Sequence, residues 1–128
     1  MTSSMDVLII EDDVIMRDAM AEWLIAERYS VRTAADGCAG LAALKAAQPA
    51  LVVTDIYMPG TSGATVIAEM KRQHFNIPII AISARFNSAH SMDMSKVLAL
   101  GATRALSKPI KRRDFLEAVA SLLARPTP

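Results

Sequence analysis

The stretch Leu51-Val52-Val53-Thr54-Asp55-Ile56-Tyr57-Met58-Pro59-Gly60 passes from an apolar, β-branched run into a carboxylate and then a Pro-Gly turn. Such a run predicts a strand at 50–54 buried on both faces, with Asp55 where the strand gives way to a turn. A carboxylate in that place is poised for chemistry. Two further segments are built alike: Val7-Leu8-Ile9-Ile10 ends in Glu11-Asp12-Asp13, and Ala105-Leu106-Ser107 ends in Lys108-Pro109.

Working outward, residues 6–10 form a strand and 14–28 a helix on which Met16, Ala19, Met20, Trp23, Leu24 and Glu27 recur at helical spacing, capped by Asp13. A weaker strand at 31–35 alternates Val31, Thr33 and Ala35 with Arg32, as a sheet edge does. A short helix at about 39–47 is stopped by Pro49, and Ser62 caps a helix carrying Val66, Ile67 and Met70. Pro78-Ile79-Ile80-Ala81-Ile82 is the fourth strand. Met92 to Leu100 forms a helix closed by Gly101 in a left-handed cap. A strand at about 103–106 precedes a last helix that uses Phe115, Val119, Leu122 and Leu123 before Arg125-Pro126.

Five strands, each followed by a helix, predict a parallel sheet covered on both faces, with strands one, three and four central because they are continuously apolar. Ligands of such sheets bind beyond the carboxyl ends of the strands, where the strand order reverses. That rule gathers Glu11, Asp12, Asp55, Ser83 and Lys108 at one edge.

At 128 residues the chain fits one domain, 1–128, and the formal net charge of +1 gives no global field of the kind that polyanion binders use. Nucleic acid is not an expected direct partner. The single cysteine, Cys38, excludes an internal disulfide and is expected to be a small packing residue. No signal peptide or membrane-spanning run is visible near the N-terminus, so a cytoplasmic location without membrane insertion is expected. His74 and His90 lack a ligand-spaced partner and read as surface residues. Met92 and Met94 suit either a helix core or an adaptable surface. Lys111-Arg112-Arg113 reads as a solvated helix start.

Carboxylates converging within about 4 Å repel by roughly 4 kcal/mol per pair at an effective dielectric near 20. They need a cation, and Mg²⁺ suits because it needs only one or two carboxylates beside water and phosphate oxygens. A carboxylate beside that ion, with a lysine and a hydroxyl nearby, is equipped to accept a phosphoryl group.

With these motifs in order, the whole chain resembles the receiver domain of two-component response regulators. The resemblance implies a flavodoxin-like doubly wound α/β fold, a five-stranded parallel sheet of order 2-1-3-4-5 with five helices, and no output domain. Carried over residue by residue, it makes Asp55 the phosphoryl acceptor, Asp12 a direct Mg²⁺ ligand and Glu11 one that acts largely through water. Tyr57 would give a backbone carbonyl to the metal, Ser83 the switch hydroxyl and Lys108 the contact to the phosphoryl group. It implies a histidine kinase or histidine phosphotransfer protein as donor, a downstream effector protein, and a phosphorylation-dependent dimer as one outcome. Enzyme activity would be limited to Mg-dependent self-phosphorylation and autodephosphorylation. It further implies a cis Lys108-Pro109 bond, and makes Tyr57 and Arg85 the side chains that flank the path of hydrolytic water.

Two departures stand out. Ala105 occupies a position, three before the lysine, that is often aromatic in the family, and the segment from Ser83 to Gly101 is long enough to imply a remodelled fourth loop and helix. The first supports a competing reading, a receiver-like interaction module switched without phosphate; the intact acids and Lys108 oppose it. A small-molecule phosphatase would need a second acid shortly after the nucleophile, where Tyr57 stands.

Overall fold

Successive side chains of a strand point to opposite faces, and the four apolar residues after Asp6 use both. In the computed structural model, which describes residues 5–73, 75–83 and 94–123, Val7 and Ile9 face one half of the core while Leu8 and Ile10 face the other. The elements run β1 (Asp6–Ile10), α1 (Val14–Ala26), β2 (Ser30–Ala34), α2 (Gly37–Ala46), β3 (Leu51–Asp55), α3 (Gly63–Arg72), β4 (Ile79–Ser83), α4 (Met94–Leu100), β5 (Arg104–Ser107) and α5 (Arg112–Leu122). All strand pairs are parallel and the sheet order is β2-β1-β3-β4-β5, the flavodoxin-like arrangement expected.

Every residue of β3 and β4 is buried, which is why both strands read as unbroken apolar runs. On one face Met20 and Leu24 of α1 meet Phe115, Ala118 and Val119 of α5, with the Trp23 and Phe115 rings 5.9 Å apart. On the other, Leu44 of α2, Val66, Ile67 and Met70 of α3 and Val97 of α4 close over Leu8, Ile10, Val52 and Ala81. No helix among the described residues is long and apolar enough to cross a membrane.

Caps explain where the helices begin. Asp13 Oδ1 accepts the Ile15 N–H at 3.0 Å and Ser62 Oγ accepts the Thr65 N–H at 3.2 Å, both as expected. The second helix starts at Gly37 rather than 39 because Asp36 Oδ1 accepts the Ala39 N–H at 2.7 Å. The first ends at Ala26 rather than 28 because Arg28 takes a left-handed φ of 68°, so that its N–H reaches Ile25 and the Tyr29 N–H reaches Leu24. Gly101, with φ of 128°, closes α4 in the same way.

Two expectations need correction. In β2 the inward residue is Ala34, whereas Thr33 and Ala35 are exposed. Arg32 is half-buried because its guanidinium pairs with Asp6 at 2.8 Å and donates to the carbonyls of Ala43 and Ala47, anchoring the end of α2. Cys38 is exposed, not a packing residue, because α2 buries Gly37, Gly40 and Leu44 along another stripe. Among the described residues the fourth helix runs Met94–Leu100, with Met94 exposed; the expected start at Met92, together with His74, Arg85, His90, Arg125 and most of the expected remodelled loop, lies outside the described residues. Arg112 and Arg113 are exposed at the start of α5, paired at 3.8 Å with Glu27 and Glu117.

Candidate functional site

The carboxyl ends of β1, β3, β4 and β5 bring the expected residues to one edge. Asp55 is the last residue of β3 rather than the first beyond it, and Ser83 is the last of β4; both are buried. Register holds them together, since Asp55 pairs with Ile82 and Ser83 with Ser107, while the Lys108 N–H donates to the Ser83 carbonyl at 3.1 Å. The Lys108-Pro109 bond is cis, as expected.

The Asp55 carboxylate is gripped at both oxygens. Oδ1 accepts the Tyr57 N–H at 3.4 Å and Oδ2 accepts from Lys108 Nζ at 2.9 Å. Lys108 Nζ also lies 2.9 Å from Glu11 Oε1. That contact has ion-pair distance without hydrogen-bond alignment, so Glu11 Oε1 is buried without a hydrogen bond among the described residues. The other Glu11 oxygen accepts the Asp13 N–H at 3.2 Å.

Burial pushes the Glu11 carboxyl up from its ordinary 4.5 to about 7; the Asp55 carboxylate adds to the rise and Lys108 opposes it. For Lys108, burial alone favours the neutral amine. Its close contacts with the Glu11 and Asp55 carboxylates and their charges outweigh that and hold the pKa above the ordinary lysine value.

Glu11, Asp12 and Asp55 each offer one oxygen within 4.8 Å of the others. Three carboxylates and one ammonium leave two negative charges, the complement of a divalent cation. The oxygen-only donor set and the buried, unsatisfied Glu11 Oε1 therefore fit a hard ion such as Mg²⁺. Asp12, exposed where the other two are buried, marks the open side.

Two supporting residues were not evident from the sequence. Arg17 Nη1 donates to the Glu11 carbonyl at 3.0 Å, and a Cβ at Gly63 would strike the Asp55 carbonyl oxygen, so only glycine lets α3 start that close to β3. The glycine directly after the Ser62 cap was the available signal; for Arg17 there was none. Tyr57 is half-buried in the turn, packs against the α2/α3/α4 side of the core and, with Met58, Pro59 and Ser62, lines an open groove of about 350 Å³.

Residues 7–120 match a family model described as the response regulator receiver domain. The transcriptional regulatory protein CseB of Streptomyces avermitilis is 30% identical over 125 residues, which span 98% of this chain and 52% of that protein. The sensory transduction protein RegX3 of Mycobacterium tuberculosis is 31% identical over 119 residues, 93% of this chain and 51% of that one. The chain thus spans about half the length of these curated relatives. Among solved structures, the chemotaxis response regulator CheY4 of Vibrio cholerae has a TM-score of 0.83 at 27% identity, covering 94% of this chain and 100% of that one. The receiver domain of NtrX from Brucella abortus has a TM-score of 0.82 at 30% identity, with the same coverage.

Proposed function

The chain belongs to the response regulator receiver domain family, and from that premise we propose that Asp55 takes a phosphoryl group from the phosphohistidine of a histidine kinase or histidine phosphotransfer protein. An Asp55 carboxylate oxygen attacks phosphorus, the P–N bond breaks, and the imidazole leaves with the electron pair. The observation that carries the reading is the grip on Asp55: its two oxygens are held by Tyr57 N–H and by Lys108 Nζ at 2.9 Å, so the nucleophile is fixed before a donor arrives.

Lys108 then follows the charge. Its ammonium bridges Asp55 and Glu11, and once one Asp55 oxygen becomes an acyl phosphate the same ammonium is within reach of the new phosphoryl oxygens. Mg²⁺, when bound, supplies positive charge against those oxygens; Asp12, Asp55 and the Tyr57 carbonyl would hold it, with Glu11 acting through water. Ser83 is the switch hydroxyl that answers the new group. The effect passes to a downstream effector protein or a further phosphorelay member, with dimerisation as one form of output. The chain does no catalysis on other substrates, and it works in the cytoplasm. Ala105, in place of the common aromatic, favours a second reading as a module switched by binding alone; the preserved Lys108, Asp55 and Glu11 cluster favours the first.

Phosphorylation of wild type and Asp55→Asn by small phosphodonors and by a panel of histidine kinases tests the proposal. Asn is nearly isosteric but has no nucleophilic charge, so acid-labile labelling is abolished while the circular dichroism spectrum is unchanged. Equal labelling of both proteins moves the acceptor elsewhere. Labelling by small phosphodonors with no response to any phosphohistidine donor defeats the proposed donor class.

A further inference from the structure

Each of the three acids must aim its carboxylate at a common point, and two are aimed by direct contact. Asp55 is held by Tyr57 N–H and Lys108, and Glu11 by Asp13 N–H and Lys108. The Asp12 carboxylate is exposed and makes no hydrogen bond or ion pair among the described residues. Among the described residues, what directs it is its backbone. The peptide unit that joins Glu11 to Asp12 carries the Glu11 carbonyl, and Arg17 Nη1 donates to that oxygen at 3.0 Å.

A peptide unit is planar, so a charge-assisted hydrogen bond to its oxygen fixes the plane and the position of the Asp12 Cα, and with the next peptide held by the Asp13 N–H on Glu11 Oε2 at 3.2 Å, the Cα–Cβ direction of Asp12 is set from both sides. The far end of this restraint is firm: Arg17 is half-buried, and its own N–H donates to the Asp13 carbonyl at 2.9 Å in the first turn of α1. The Glu11 N–H donates to the Ala34 carbonyl at 3.1 Å, which fixes the preceding peptide as well.

We propose that Arg17 is a positioning residue for the acid cluster: by clamping the Glu11-Asp12 peptide it aims the Asp12 carboxylate at the point shared with Glu11 and Asp55, and so sets the affinity for Mg²⁺. The inference rests on the proposed metal site. It is separable from a bystander role by sign. A guanidinium that merely stands near the acids repels a divalent cation, so its removal tightens Mg²⁺ binding; a guanidinium that aims a ligand has the opposite effect, because loss of an outer-shell partner costs about 10–100-fold in metal affinity.

Mg²⁺ is titrated calorimetrically into wild type, Arg17→Met, Arg17→Lys and the control Met20→Ala. Methionine keeps the apolar stem and the helix propensity while removing the donor. Met20 lies one turn further along α1 in the buried core, so its truncation lowers the melting temperature without reaching the Glu11 carbonyl. Arg17→Met is expected to weaken Mg²⁺ binding about tenfold, Arg17→Lys to recover part of the loss, and Met20→Ala to stay within about twofold of wild type. Unchanged or tighter binding by Arg17→Met overturns the inference and leaves the metal site standing. Equal weakening by Met20→Ala overturns it too, since the effect would then be general loss of stability. A wild-type chain that takes up no Mg²⁺ overturns the metal site and this inference together.

Discussion

Lys108 and Asp55 are 53 residues apart in the chain, yet Lys108 Nζ meets Asp55 Oδ2 at 2.9 Å. They meet because β5 and β3 are parallel and end at the same edge of the sheet, with only β4 between them. The ammonium is shared with Glu11, so one cation holds two buried carboxylates that would otherwise repel.

Lys108→Met should expose that repulsion. Removing one partner of a buried pair typically costs about 3–5 kcal/mol, because the other charge is left uncompensated. Thermal melts in chelator at pH 8 should place the variant well below wild type, with Mg²⁺ restoring a larger share of stability than it does in wild type. Equal melting in chelator would show that the ammonium contributes nothing net.

The metal-free chain should lose stability as pH rises from about 4.5 through about 7. Glu11 titrates near 7 in the folded chain against an ordinary 4.5, so folding takes up a proton across that window and the ionised group opposes the fold above it. A difference of one pKa between the folded and unfolded states is worth about 1.36 kcal/mol, which makes the loss on the order of 3 kcal/mol. Urea midpoints measured in chelator from pH 4.5 to 8 should fall for wild type and stay flatter for Glu11→Gln. Parallel curves for the two proteins would sink the assignment.

Gly63→Ala should damage the acceptor without touching its chemistry. The added methyl meets the Asp55 carbonyl oxygen and the backbone of Ile56, neither of which can swing aside. Overpacking of this kind typically costs about 1–3 kcal/mol. A lower melting temperature together with slower labelling by a small phosphodonor is expected; a variant as stable and as quickly labelled as wild type would show that the loop yields freely.

Combining Tyr57→Asn with Arg85→Glu should shorten the life of the phosphoryl group. On the proposed function, a phenol ring at Tyr57 would crowd the approach of water, and a guanidinium can hold phosphate oxygens without serving as a base. Decay in Mg²⁺ should accelerate roughly tenfold, equivalent to about 1.4 kcal/mol of barrier. Decay no faster than wild type would rule out shielding by this pair.

The sequence by itself determined what depends on near neighbours. Short apolar runs located β1, β3 and β4 and alternation located β2, the runs of β3 and β4 declared both faces buried, and Asp13 and Ser62 were visible as caps because a cap acts within three residues of itself. The acids, Ser83 and Lys108 were placed at one edge because parallel connections leave every carboxyl end on the same side. Only the tertiary structure decided which partner each side chain meets. Arg32 looked like the outward member of an edge strand until Asp6 and the end of α2 were set around it, and Cys38 is exposed because of where α2 lies on the sheet rather than because of its own chemistry. The grip of Lys108 on Glu11 and Asp55, the raised Glu11 pKa, the reach of Arg17 to the Glu11 carbonyl and the fit of Gly63 against Asp55 likewise come from elements brought together by packing. Burial, desolvation and close approach are properties of that assembled surround, and no local pattern of residues encodes them.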